Sequence, residues 1–186
     1  MKSPPTSAPF HGRTEDELAA VLGFLLKSHL HLRGSLPQLM RLAENVVEHH
    51  VMDHPELDEI WTCAARLNSK LLIHMDKEEK VLFPRIERLL ATLAPVSPEP
   101  ACDNLPACIE QLAREHAEIE TSLSGIRHAS DGYRLPEGAC TSWRNLYRQL
   151  ETLEAELHRN FGLEENILIP LAARKEAAQQ SLSTSA

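Results

Sequence analysis

Apolar positions along this chain recur in steps of four and three, the period of a helix that buries one stripe of its surface. The first run reads Leu18, Leu22, Leu25, His29, Leu32, Leu36, Leu39, Ala43 and Val46, with His29 the single strongly polar residue in it. A second reads Leu67, Leu71, His74, Glu78 and Val81, and a third Leu105, Ile109, Leu112, His116, Ile119, Leu123 and Ile126. The fourth is Leu146, Leu150, Leu153, Leu157, Asn160, Glu164, Ile167 and Leu171. Strand signals are essentially missing, and runs of β-branched residues are absent, so the pattern predicts an all-α fold. Four stripes joined by short connections describe an up-down-up-down four-helix bundle.

Local signals set the bounds of these helices. Thr14-Glu15-Asp16-Glu17 has the form of a capping box and predicts the start of the first helix. Pro37 falls inside the first stripe, where it predicts a kink, because the stripe continues beyond it. Asp53-His54-Pro55 disfavours helical geometry and ends the first helix near His50 to Pro55. The second helix then runs from about Glu56 to Thr92, and the proline-rich stretch Ala94 to Pro106 reads as a surface connection. Ser130-Asp131-Gly132 closes the third helix, and the fourth begins between Pro136 and Thr141. The resulting organisation is a disordered arm over 1–13, the bundle over 14–178 and a disordered tail over 179–186.

Polar residues in mid-stripe carry the chemistry. His74 and Glu78 lie one turn apart on a face that a bundle buries, and burying either without a partner costs several kcal/mol. For this pair alone, a histidine hydrogen-bonded to a neighbouring helix is the simplest account. An internal repeat changes that. His74-x3-Glu78-Glu79-x-Val81-Leu82-Phe83-Pro84 matches Asn160-x3-Glu164-Glu165-x-Ile167-Leu168-Ile169-Pro170, and His29 and His116 precede the two blocks by similar intervals. A bundle brings His29, His74, Glu78, His116, Asn160 and Glu164 to one level, where three imidazoles and two carboxylates in a leucine core call for cations. Imidazole and carboxylate ligands suit iron, manganese or zinc, and two carboxylates able to bridge suit a pair of metals. The spacing His-x3-Glu differs from the Glu-x-x-His of ferritin-like sites and from the H-E-x-x-H of zinc proteases. His49, His50 and His54 lie about 30 Å from His29 along the helix and are expected to be solvated.

Composition narrows the function classes. A net charge of −8 and the lack of a basic face exclude a nucleic-acid partner from the expectation. No stretch approaches the length of apolar sequence that a membrane span needs, and MKSPPTSAPF lacks an apolar signal core, so a soluble cytoplasmic protein with no membrane partner is expected. Cys63, Cys102, Cys108 and Cys140 show no C-x-x-C pairing and are expected to be reduced thiols.

The chain resembles the hemerythrin HHE cation-binding domain, and more closely the di-iron proteins that repair iron centres under nitric oxide stress. The likeness is carried by Leu36-Pro37-x-Leu39, by His74-Met75-x-Lys77-Glu78-Glu79-x-Val81-Leu82-Phe83-Pro84, and by Glu115-His116. Ala139-Cys140-Thr141-x-Trp143-x-x-x-Tyr147 and Leu163-Glu164-x-Asn166-x-Leu168-x-Pro170 extend it, over roughly residues 14–175. Motif by motif, the resemblance implies His29, His74, Glu78, His116 and Glu164 as ligands of two non-haem irons, or of one. Where the family has its last histidine this chain has Asn160, and His158, off the stripe, is the nearby alternative for that metal pocket. The family's N-terminal domain with its Cys-Cys-Gly-Gly motif has no counterpart here, so an activity needing those thiols is not inferred from the resemblance. The implied function is a nitric oxide or oxidative stress response, through iron-centre repair or nitric oxide binding, with nitric oxide or oxygen as ligand and damaged iron-sulfur proteins as partners. Two alternatives remain at this point: an oxygen or nitric oxide sensor or carrier without turnover, and a structural bundle with a degenerate metal site. Catalytic residues are not assigned by the sequence, which leaves open whether the protein is an enzyme.

Overall fold

A computed structural model describes residues 11–91 and 105–184. Four long helices account for nearly all of them: α1 (His11–His50), α2 (Glu56–Lys77) running on into α3 (Phe83–Ala91), α4 (Leu105–Ala129), and α5 (Thr141–Leu163) running on into α6 (Ile169–Thr184). No strand occurs among the described residues, and they form an all-α four-helix bundle. α2 packs along α4, and α1 packs along both α5 and α2. Close approach of α2 and α4 depends on Gly125, where an added Cβ would stand 2.7 Å from the Cys63 sulfur. No described helix is long and apolar enough to cross a membrane.

The stripes read from the sequence are the buried faces. All nine positions from Leu18 to Val46 on α1 are buried, as are Leu146 to Glu164 at their predicted steps on α5. Apolar burial falls into two clusters. One is built on Leu32 to Val46, Leu57 to Met75, Ile119 to Ile126 and Trp143 to Phe161. The other is built on Leu18 to Leu25, Leu82 to Ile86, Leu105, Leu112, Leu168 and Ala172. Between them lie His29, His74, Glu78, His116, Asn160 and Glu164, each no more than 5% exposed. A polar layer thus divides the core, at the level where the repeat places it.

Beyond that layer the predicted register shifts. Glu78–Leu82 and Glu164–Leu168 are single π-helical turns, closed by Phe83 N–H to the Glu78 carbonyl and by Ile169 N–H to the Glu164 carbonyl. One extra residue per turn advances the buried face, so Leu82 and Leu168 are buried whereas Val81, Ile167 and Leu171, expected on the stripe, are only partly so. Pro84 and Pro170 follow each turn as the second residue of α3 and α6. Having no N–H, and a ring that crowds the carbonyl one turn back in a regular helix, each proline favours the wider turn before it.

Smaller expectations differ at the ends. α1 is already helical at His11, so Thr14 lies inside the helix and not at its start, and only residues 1–10 of the expected arm fall outside the described residues. Pro37 is carried within α1, which continues past it. The expected tail is helical to Thr184, since Gln179-Gln180-Ser181 holds no glycine or proline to stop α6. The connection expected over Ala94 to Pro106 lies outside the described residues until α4 begins at Leu105. Cys63 and Cys140 are free thiols as expected. Cys108 is disulfide-bonded, which corrects the expectation that it is reduced; pairing is not legible in spacings that match no known framework. Cys102 lies outside the described residues.

Candidate metal centre

Each helix contributes to the polar layer through the periodicity that buries its leucines. His29 comes from α1, His74 from the last turn of α2, His116 from α4 and Asn160 from the last turn of α5. Glu78 and Glu164 open the two π-turns. The inner ring nitrogens converge on the carboxylates: His29 Nε2 is 3.3 Å and His74 Nε2 3.5 Å from Glu78 Oε2, and His116 Nε2 is 2.9 Å from Glu164 Oε2. One ligand atom from each of His74, Glu78, His116 and Glu164 can be chosen so that all lie within 4.8 Å of one another. Phe161 stacks on the His116 ring at 3.9 Å between centroids, and Phe83 stacks on His29 at 5.6 Å.

The outer ring nitrogens are each held by a second carboxylate. His29 Nδ1 is 3.0 Å from Glu79 Oε1, His74 Nδ1 3.1 Å from Glu115 Oε2, and His116 Nδ1 2.7 Å from Glu165 Oε1. Because a carboxylate only accepts, the proton of a neutral ring belongs on Nδ1 and the Nε2 lone pair points into the layer. Carboxylate, imidazole and a central cation in that order is how proteins fix the orientation and basicity of a metal-binding histidine. The Glu-Glu pairs of the repeat divide this work: Glu78 and Glu164 turn inward, while Glu79 and Glu165 reach across to α1 and α4. Glu79, Glu115, Glu165 and the two phenylalanines escaped the sequence reading, although the doubled glutamate in both halves of the repeat was the available signal.

Electrostatics leave the layer short of positive charge. Burial, and then the neighbouring Glu164 carboxylate, push the Glu78 carboxyl up to about 8, against the opposing pull of His74 and His116. Burial lowers His29, with Glu79 only partly offsetting it, whereas at His116 the Glu164 and Glu165 carboxylates outweigh burial and raise it. Glu115 is drawn down to about 2: its own burial is outweighed by hydrogen bonds from His74, Lys77 and Gln111. Both oxygens of Glu78, Oε2 of Glu164, Nε2 of His116 and Oδ1 of Asn160 are buried with no hydrogen-bond partner; the short His116 to Glu164 approach lacks hydrogen-bond direction. Orphaned buried acceptors of this number are costly, and a cation among them would satisfy them together. The donor set, nitrogen and oxygen only, fits iron in a non-haem site.

His158 is elsewhere. It is half exposed and pairs with Glu120 at 2.8 Å, on the outside of α5. Glu120, Glu154 and His158 form a second acidic group, but Glu154 is already engaged by Arg127 and by the Tyr133 hydroxyl at 2.6 Å. The histidines at the end of α1 and just past it are not all solvated either. His50 and His54 pack against Trp143, at 5.1 and 4.7 Å between centroids, while His49 is exposed. A cavity of about 240 Å³ borders the metal centre, with Val81, Leu82 and Leu112 supplying apolar walls, Glu78 the inner one, and Lys77 and Glu115 among the rest.

Fold and site together define a cation-binding helical bundle of the carboxylate-histidine type. The chain belongs to the hemerythrin HHE cation-binding domain family, which it matches over residues 20–172. Among curated relatives, it is 30% identical over 162 residues to the iron-sulfur cluster repair protein DnrN of Neisseria gonorrhoeae, covering 87% of this chain and 90% of that one. It is also 30% identical over 165 residues to the iron-sulfur cluster repair protein YtfE of Pectobacterium carotovorum subsp. carotovorum (strain PC1), covering 87% of this chain and 69% of the relative.

Proposed function

We propose that this chain is a non-haem iron protein of the nitric oxide and oxidative stress response, acting in the repair of damaged iron-sulfur proteins in the cytoplasm. The observation that carries the reading is the set of orphaned buried carboxylate and imidazole atoms, closed off by leucine clusters on both sides. His29, His74, His116, Glu78 and Glu164 would hold the metal, one glutamate coming from each half of the repeat. Iron held there supplies a redox-active centre that can bind a small diatomic such as nitric oxide or oxygen. The protein's own residues do the rest. Glu79, Glu115 and Glu165 orient the three rings and make them better donors. Phe83 and Phe161 cover the rings and keep water from the layer. The cavity beside Glu78 gives a small, mostly uncharged ligand room next to the centre. The repair function is supported by the likeness to DnrN and YtfE, both iron-sulfur cluster repair proteins.

The test is the metal content of the purified protein, with its optical spectrum before and after nitric oxide under anaerobic conditions. Iron at one to two atoms per chain and a spectrum altered by nitric oxide are expected. Protein that stays metal-free after incubation with Fe(II), with undiminished stability, would instead select a structural bundle.

A further inference from the structure

The two halves of the repeat are not chemically alike, and the difference extends past a single ligand. On α4, the residue before His116 is Glu115, and its carboxylate backs His74. On α1, the residue before His29 is Ser28, and its hydroxyl receives a 2.8 Å hydrogen bond from the Asn160 side-chain nitrogen. Ser28 in turn donates to Glu156 Oε1 at 2.7 Å. In the repeat, Asn160 is the counterpart of His74 and Ser28 that of Glu115, so a carboxylate-imidazole unit in one half faces a hydroxyl-amide unit in the other. Both members of the unit differ between the halves.

This chain of donors fixes the amide. The Glu156 carboxylate can only accept, which commits the Ser28 proton to it and leaves the Ser28 oxygen as acceptor for Asn160 Nδ2. Asn160 Oδ1 is therefore the free end, buried and without a hydrogen-bond partner, in a residue only 2% exposed. His29 is left out of the compact group formed by His74, Glu78, His116 and Glu164, although it touches Glu78.

We infer that the bundle offers two inequivalent metal positions: a complete one faced by His74 and His116, and a weaker one faced by His29 and an Asn160 amide oxygen whose direction Ser28 and Glu156 fix. The inference rests on the iron-site reading above. An amide oxygen is a weaker donor to a late transition metal than imidazole and selects harder cations, so the second position binds less tightly and discriminates differently. Ser28 and Glu156 are positioning residues; neither is a ligand.

The test is an anaerobic titration of the full chain with Co(II) against a chromophoric chelator, following metal uptake and the visible Co(II) spectrum. Two resolved steps are expected, the second at least about 10-fold weaker, the scale on which outer partners tune a metal site. Asn160→Leu, which removes both polar atoms of the amide, should delete the second step and leave the first. Ser28→Ala should weaken the second step alone, by about 10- to 100-fold, while Glu115→Gln weakens the first. Ser28→Glu with Asn160→His should bring the two steps together, beyond the sum of the single changes. Equal steps in the unmodified protein, or a second step indifferent to both Ser28→Ala and Asn160→Leu, would overturn the inference while leaving the metal site intact. No uptake at either position would overturn the proposed function with it.

Discussion

At the scale of single residues, Glu78 shows what the metal centre lacks when it is empty of cations. Its carboxyl is raised from an ordinary value of 4.5 to about 8 by burial and by Glu164. Between those values the folded metal-free chain holds a proton that the unfolded chain has released, so this group's contribution is present at low pH and is lost as pH rises through 8. Glu78→Gln removes the titration. The metal-free variant should melt several degrees above the metal-free parent at pH 8 and close to it near pH 5, as followed by circular dichroism. A variant less stable than its parent at pH 8 would contradict the assignment of that strain to Glu78. Metal reverses the sign, because the ligand must be deprotonated, and uptake should weaken with falling pH. Glu78→Ala or Glu164→Ala should lose metal more severely than His50→Ala, since His50 lies against Trp143 and not in the polar layer. Metal analysis of the three variants checks this, and iron lost from His50→Ala would count against it.

At the scale of elements, the legible part of the sequence was the helical period. It placed Leu18 to Val46, Ile119 to Ile126 and Leu146 to Leu157 correctly on buried faces, and the polar interruptions in those stripes located His29, His74, Glu78, His116, Asn160 and Glu164. The period failed after Glu78 and Glu164, because a π-turn adds a residue that no hydrophobic pattern announces; the six-residue interval from glutamate to proline was the trace it left. Which group each partner reaches, as Glu79 reaches His29 and Ser28 is reached by Asn160, was illegible for a different reason, since it depends on which faces oppose one another in three dimensions. The π-turn has a function that can be isolated. Lys80 is exposed and lies inside it. Deleting Lys80 should return the segment to regular helix, keep Leu82 and Ile86 on the core, and pull Glu79 away from His29. A folded protein with metal affinity reduced about 10- to 100-fold is the expected outcome, read by helical content and chelator competition. Unchanged affinity would show that the turn does not position Glu79.

At the scale of the whole molecule, two leucine-rich clusters are held apart by a layer that is stable only when its charges are balanced. Binding to the native state alone stabilises it by mass action, so loading with Fe(II) should raise the melting temperature and a chelator should lower it. Calorimetric melts of the loaded and stripped protein check this, and identical melting temperatures would mean that the layer does not take up metal. The most direct measurement is an anomalous difference map at the iron edge, from crystals of the protein loaded anaerobically with Fe(II). Density is expected between Glu78 and Glu164, stronger beside His74 and His116 than beside His29 and Asn160. Density confined to Glu120, Glu154 and His158, or none in the polar layer of a loaded crystal, would contradict it.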